Sequence, residues 1–555
     1  MLKATIDRRV FLCGSLATAA LRLRSQDHPS SLELAGSPRA IPSADRLAWQ
    51  DLEVGMFVHF APNTWQDKEG DDLSTPLSAI DPDIDTDNWA ECAMNLGARY
   101  IVFVAKHMGG FCMWQTETTK YSIANTPWKN GHGDVLADLS ASCSKRGLRL
   151  GVYLSPRDEY FGAGTGGVCK DPSRQPAYNA MYREQLTEVL TRYGSMVEVW
   201  FDGSSVVPTS DLVSKYAAHA AIFQGPDATI RWVGNENGFA PYPLWDAESK
   251  ADARSGTSTS MHGDPNGDAW IPVECDVSIR RPNWFWSTTN VRHLMTLDQL
   301  IEVYYRSVGR GAQLLLNIPA DRRGHMPDPD FARAHEFGDE IRRRFGASVA
   351  ETHGAGAHIE LHFAQPARID HVILEEDCRF GQRVRAFRLE GRTNSDWVSL
   401  YDGTSIGHKR IVPVAPNEFR ALRLSVTESQ GKPQIRRLAA FNTGAAPPPT
   451  WDATAHVWAA DSVGEWKDAK FEVDLTAKIK DAAQYRLRFV PRIGKVTGVE
   501  GVELLLDGAP APHLVKTDPA AHDALILTMT AIGQKVILRG TVAGAEQGTI
   551  LLQKM

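Results

Sequence analysis

Between about residues 45 and 345, short apolar runs alternate with amphipathic stretches, the pattern of repeated strand-then-helix units. Gly55-Met56-Phe57-Val58-His59-Phe60 opens the series as a strand. Tyr100-Ile101-Val102-Phe103-Val104-Ala105 is apolar throughout, as expected of a strand buried on both faces. Further strands are predicted at Leu148 to Leu154, Val197 to Phe201, Thr229 to Val233 and Gln313 to Asn317. Between them, the stretch from Ala180 to Tyr193 sets Tyr182, Leu186, Val189 and Leu190 on one helical face. Such repetition over about 300 residues favours a (β/α)8-like barrel over an open doubly wound sheet. No GxGxxG or P-loop follows a strand, which removes the main nucleotide-binding alternative.

After Phe345 the period changes to two. Ile359 to Phe363, Val372 to Leu374, Phe387 to Glu390, Trp397 to Tyr401 and Leu422 to Ser425 predict short strands of a β-sandwich. Gly444-Ala445-Ala446-Pro447-Pro448-Pro449 is a stiff linker. Strand-like text resumes at Leu504 to Leu506, Leu525 to Leu527 and Val536 to Leu538. The chain therefore divides into a barrel over 31–345, a β-sandwich over 346–443, a linker over 444–450 and a small β-domain over 451–555.

Composition narrows the partners. A chain of 555 residues with 43% hydrophobic and 23% charged residues is ordinary multidomain globular protein. A net charge of -7 argues against nucleic acid, while 15 tryptophans suit carbohydrate handling. Asp7-Arg8-Arg9-Val10-Phe11-Leu12, an apolar run to Leu21 and Ala17-Thr18-Ala19 resemble a twin-arginine export signal over 1–30. A periplasmic location follows as the expectation, and no apolar stretch is long enough to insert as a membrane span. Cys92, Cys112, Cys143, Cys169, Cys275 and Cys378 show no CxxC pair, so neither a metal cluster nor a cofactor is expected, and their pairing stays open.

The candidate chemistry centres on Asp202. Val197-Glu198-Val199-Trp200-Phe201-Asp202-Gly203 brings a carboxylate to the end of a core strand, where Gly203 lets the chain turn. Reactive groups of a parallel barrel are displayed at that end. A carboxylate beside aromatic rings suits attack on a sugar carbon, because carbohydrate sites combine apolar platforms with paired acids.

Several ordered motifs extend this. Val58-His59-Phe60, Ala105-Lys106-His107, Gly147 to Pro156, Trp200-Phe201-Asp202-Gly203, Arg231-Trp232-Val233-Gly234-Asn235-Glu236, Glu274 to Arg280 and Ser307 to Ala312 resemble glycoside hydrolase family 29, the α-L-fucosidases. The likeness covers about residues 45 to 440 and is nearest the branch acting on α-1,3/1,4-linked fucose; 346–443 resembles a discoidin-type carbohydrate-binding module. The resemblance implies an exo-acting retaining hydrolase of fucosylated glycans, with Asp202 as nucleophile and Glu236 as acid/base, its pKa raised by burial beside Trp232. Glu274 is the rival acid, expected instead to shape the site. His59, His107 and Glu69 match residues that hold the sugar, and Trp284 and Trp286 are expected to form an aromatic wall. Three positions depart from the family pattern: Met108 replaces a histidine, Gly70 a tryptophan and Arg157 a tryptophan. They leave open a different or more substituted sugar. A catalytically weak carbohydrate-binding protein is a further alternative, but it would need neither Asp202 nor Glu236.

Overall fold

The computed structural model describes residues 32–34, 39–250, 262–394, 396–452, 460–476, 478–479, 482–491, 496–517, 524–529 and 535–554. The expected export signal, with Arg8 and Arg9, lies outside these residues.

Eight parallel strands form the barrel: β1 (Val54–Val58), β2 (Tyr100–Lys106), β3 (Arg149–Leu154), β4 (Met196–Trp200), β5 (Ala221–Phe223), β6 (Arg231–Trp232), β7 (Val273–Ser278) and β8 (Gln313–Asn317). Hydrogen bonding runs continuously from β5 through β4, β3, β2, β1, β8 and β7 to β6. A single parallel bridge from Phe223 to Ile230 closes the ring. Two strands escape the sequence pattern. β5 is only three residues long, and β7 reads Val273-Glu274-Cys275-Asp276-Val277-Ser278, too polar to pass for a buried strand.

Alternation along the strands explains the two cores. Tyr100, Val102 and Val104 of β2 fill the barrel interior with Phe57, Tyr153, Trp200 and Leu315. Ile101, Phe103 and Ala105 face the surrounding helices. Gly55 is required where it stands, because a Cβ there would meet the Tyr100 ring at 2.3 Å. The helices obey local rules: Thr86–Leu96 and Val135–Arg146 start at Asp85 and Asp134, whose side chains accept backbone N–H groups, and end at Gly97 and Gly147 with positive φ. At the β2 exit, buried Lys106 donates to Asp158 at 3.2 Å and to Gln185 at 2.9 Å, fixing the turn that carries His107.

Residues 350–441 supply six strands of a seven-stranded sheet whose longest strands, His358–Glu376 and Arg410–Gln430, break register midway and curl around their own core. The segments around Ile359 and Val372, separate strands by pattern, belong to one. Leu32–Leu34 pairs with Glu428 to Gln430 of this sheet, so the boundary expected at residue 31 falls outside the barrel. Ile373, Ile411, Ala439 and Phe441 of the sheet pack into the barrel's outer core. Beyond the linker, a five-stranded and a four-stranded sheet enclose a separate apolar core. The six cysteines expected to remain after export are all buried and free.

Candidate active site

The C-terminal ends of the strands form the mouth of the barrel, and aromatic rings pave it. His59 follows β1, His107 follows β2, Tyr153 lies near the end of β3, and Trp200 ends β4. The His107 ring stacks on Tyr153 at 5.7 Å and meets Phe285 edge-on at 4.9 Å. His59 lies 5.2 Å from both Trp284 and Phe285. Phe285, which no sequence motif singles out, contacts both histidines, as does Tyr153.

His59 donates from Nδ1 to Asn317 Oδ1 at 2.8 Å, because the Asn317 amide nitrogen is spent on Ser278 Oγ and the Trp284 carbonyl. That leaves Nε2 as an acceptor. Burial pushes the His59 pKa down to about 3. Burial, then His59 and Arg157, push His107 well below its ordinary value. Both rings are neutral near pH 7. His107 Nδ1 is buried without a hydrogen-bond partner. A buried orphan nitrogen is costly, and a sugar hydroxyl would relieve it.

Asp202 sits just beyond β4, as the sequence implies. Tyr153 donates its phenol to Asp202 Oδ2 at 2.9 Å. Burial raises the Asp202 pKa, Glu236 raises it further, and Tyr153 and Arg157 oppose. Glu236 is brought to the same mouth, but not buried. Its side chain is 42% exposed and pairs with Arg281 at 2.8 Å. The burial expected beside Trp232 belongs instead to Asp276, whose Oδ1 accepts the Trp232 indole N–H at 2.6 Å. Asp276 stands on the inward face of β7, one position above Glu274 in the strand's alternation. Burial, with Glu236 the next cause and Asp202 a minor one, pushes its pKa up to about 8. Two carboxylates about 5 Å apart at an effective dielectric of about 20 repel by roughly 3 kcal/mol, equivalent to about two pKa units.

Glu274 is a correction. It lies deep in the barrel, hydrogen-bonded to Glu198 and accepting from Tyr100 at 3.3 Å. Burial and then the Glu198 charge hold it protonated far above the usual carboxylate range. Its side chain is fully buried, away from the open mouth. Glu69 is committed as well: its carboxylate accepts from Asn283 Nδ2 at 3.0 Å and from the Trp284 N–H at 2.9 Å, tying the first loop to the aromatic wall. Trp284 belongs to that wall. Trp286 turns toward Arg322, 5.8 Å away.

Two of the departures, Met108 and Arg157, touch. Arg157 donates from Nη1 to Met108 Sδ at 3.7 Å and pairs with Glu159, which Lys170 also approaches at 3.3 Å. A Cβ at Gly70 would meet nothing within 4 Å. Neither Tyr153 nor Asp276 is singled out by the sequence. Position on the inward face of a strand is their only signal, and it needs the strand assignment first.

Comparison with known proteins shows which family the chain resembles. Residues 71–343 match the family model described as alpha-L-fucosidase. The chain is 31% identical over 452 residues to alpha-L-fucosidase 1 of Arabidopsis thaliana, covering 72% of this chain and 87% of that protein. The crystal structure of a glycoside hydrolase 29 family member from an unknown rumen bacterium superposes with a TM-score of 0.67 at 27% identity, covering 94% of this chain and 100% of that one. That span takes in most of the C-terminal β-domain. A glycoside hydrolase family 29 fucosidase of Ruminococcus gnavus, solved in complex with fucose, superposes with a TM-score of 0.65 at 25% identity over 74% of this chain and 97% of that one.

The buried neutral histidines predict a pH dependence of stability. A histidine whose folded pKa lies below its unfolded value takes up its proton preferentially when unfolded. Stability is therefore full above the unfolded value of about 6.5 and declines as pH falls below it. The thermal midpoint should drop from pH 7 to pH 4, and His59→Gln, which keeps a donor for Asn317, should flatten that slope. A slope identical in the variant would remove His59 as a cause.

Proposed function

We propose, for a chain that belongs to the α-L-fucosidase family of glycoside hydrolase family 29, that it releases terminal α-L-fucose from glycans with retention of anomeric configuration. The observation that carries this reading is Asp202, presented at the β4 end with Tyr153 donating to one carboxylate oxygen. The other oxygen is left to attack the anomeric carbon. Glu236, within the electrostatic reach of Asp202, protonates the departing glycosidic oxygen and then takes a proton from the incoming water. The rings of His59, His107, Trp284 and Phe285 shape the sugar pocket, with the two imidazoles as neutral hydrogen-bonding groups. The branch acting on α-1,3/1,4-linked fucose is the favoured specificity. We assign 346–443 the role of a carbohydrate-binding module of discoidin type, seated on the barrel. Export to the periplasm through the twin-arginine-like segment completes the reading.

A second reading concerns the sugar. Met108, Gly70 and Arg157 alter groups that hold the ring and not the carboxyls that react. The open space at Gly70 and the Arg157 contact with Met108 favour a bulkier or substituted deoxyhexose.

Asp202→Ala should lower turnover of an aryl fucoside by roughly a thousandfold or more while the protein stays folded. Azide should restore part of it as a glycosyl azide, and near-native activity in the variant would remove Asp202 as nucleophile. Glu236→Ala should slow fucosides with poor leaving groups by about 10²–10⁴-fold and activated aryl fucosides far less. Equal losses on both would assign the acid elsewhere. Across a panel of aryl glycosides, Met108→His with Gly70→Trp should raise fucoside turnover if the departures are losses in a fucosidase. If the native protein prefers another sugar and the double variant loses it, the second reading stands.

A further inference from the structure

Three carboxyls lie at the barrel mouth, Asp202 and Glu236 just beyond β4 and β6 and Asp276 within β7, and the reaction proposed above uses two of them. The third, Asp276, is buried on the inward face of β7, with Trp232 Nε1 bonded to Oδ1 at 2.6 Å. The charged and titratable groups around it are Asp202 beyond β4, Glu236 beyond β6 with its partner Arg281, and Glu274 and Cys275 on its own strand. Arg157 acts on Asp202 from the β3 side. Arg281 is engaged with Glu236, and the Asp276 side chain accepts from a neutral indole, a donor that a protonated carboxyl accommodates as well as an ionised one.

We propose that Asp276 is a positioning residue that keeps a proton on Oδ2 throughout the catalytic cycle, so that the three carboxyls together carry one negative charge at every stage. This rests on the assignment of Asp202 and Glu236 given above. Before reaction the charge is on Asp202 and Glu236 holds its proton. As the Asp202–sugar bond forms, the glycosidic bond breaks and its oxygen takes the Glu236 proton; the charge is then on Glu236. Water returns a proton to Glu236 and its oxygen to the anomeric carbon, and Asp202 leaves as the carboxylate. The count is minus one at each stage only while Asp276 remains neutral. Its upward-shifted pKa agrees with that role. Ionisation of Asp276 would add a second negative charge beside both partners, strengthening the hold of Glu236 on its proton and weakening it as an acid.

The test is Asp276→Asn, which fixes the neutral state and keeps an oxygen for Trp232. Its kcat/KM on an activated aryl fucoside near pH 6 should fall by on the order of tenfold or less. The alkaline limb of its pH profile should move up by about one pH unit or more relative to the unmodified protein. Asp276→Ala, which strands the Trp232 indole, should lose more activity and serves as the comparison for a merely structural role. An unmoved alkaline limb in Asp276→Asn would overturn the proposal, as would loss of about a thousandfold with an unchanged thermal midpoint, since that would make the ionised carboxylate the working form. Infrared difference spectra between pH 6 and pH 9 separate this proposal from the parent reading, because they need no turnover. A protonated-carboxyl band should disappear at high pH in the unmodified protein and be missing from Asp276→Asn; the same band in both would overturn the proposal even in an active fucosidase. If the band behaves as expected but Asp202→Ala retains full activity, the proton on Asp276 stands and the assignment of the nucleophile fails.

Discussion

Inside this barrel, buried carboxyls are held by neutral aromatic donors. Trp49 and Trp200 donate to Glu198, Tyr100 to Glu274, Tyr153 to Asp202 and Trp232 to Asp276. An arginine or lysine partner would lock an acid in its ionised form, whereas a phenol or indole satisfies the oxygen and leaves the proton to be decided by burial and neighbouring charge. Other buried acids are held by cations instead: Arg280 grips Asp330 with two hydrogen bonds, and Lys106 meets Asp158. Both pairs lie behind the mouth and hold its loops. At the mouth Asp202 and Asp276 follow the first pattern, whereas Glu236 is paired with Arg281.

That arrangement couples the folding core to the chemistry. Gly55 makes room for the Tyr100 ring, which reaches the Glu198–Glu274 pair, and Trp200 both caps that pair and paves the floor under the mouth. Trp200 also stacks on Phe223 at 3.5 Å, linking β4 to the short β5 where the ring closes. The chain that carries Asp202 is thus anchored through its tryptophan before it turns at Gly203. Neutral histidines belong to the same scheme. With both imidazoles uncharged, the mouth offers hydrogen-bonding groups to hydroxyls without adding cations that would draw the carboxyls into fixed ion pairs.

The β-modules bear on the site indirectly. Asp370 accepts the backbone N–H groups of Thr443 and Gly444, and His371 beside it meets Tyr305 of a barrel helix at 2.8 Å. The proline-rich linker therefore starts from a pinned position, and Trp451 packs near Tyr401. The seven-stranded sheet packs against the barrel's outer wall, and Leu32–Leu34, far from it in sequence, pairs in parallel with its strand Arg410–Gln430.

The sequence by itself determined the barrel class, the change of period after Phe345, and Asp202 as a displayed carboxylate. Each depends on local order: continuous apolar strands, alternating ones, and a glycine that permits the turn after an acid. It also placed His59 and His107 at strand exits, where the fold brings them together. Only the tertiary structure decided which acid is buried. Glu236, expected to shelter beside Trp232, is only half-buried and paired with Arg281, while Asp276, unremarked in a polar strand, takes the indole. Glu274, two residues earlier on the same inward face, is carried below the site altogether. Ionisation depends on solvent exclusion and on charges from other strands, and neither is written in the neighbouring residues of the chain; both arise when eight strands close and set distant carboxyls side by side.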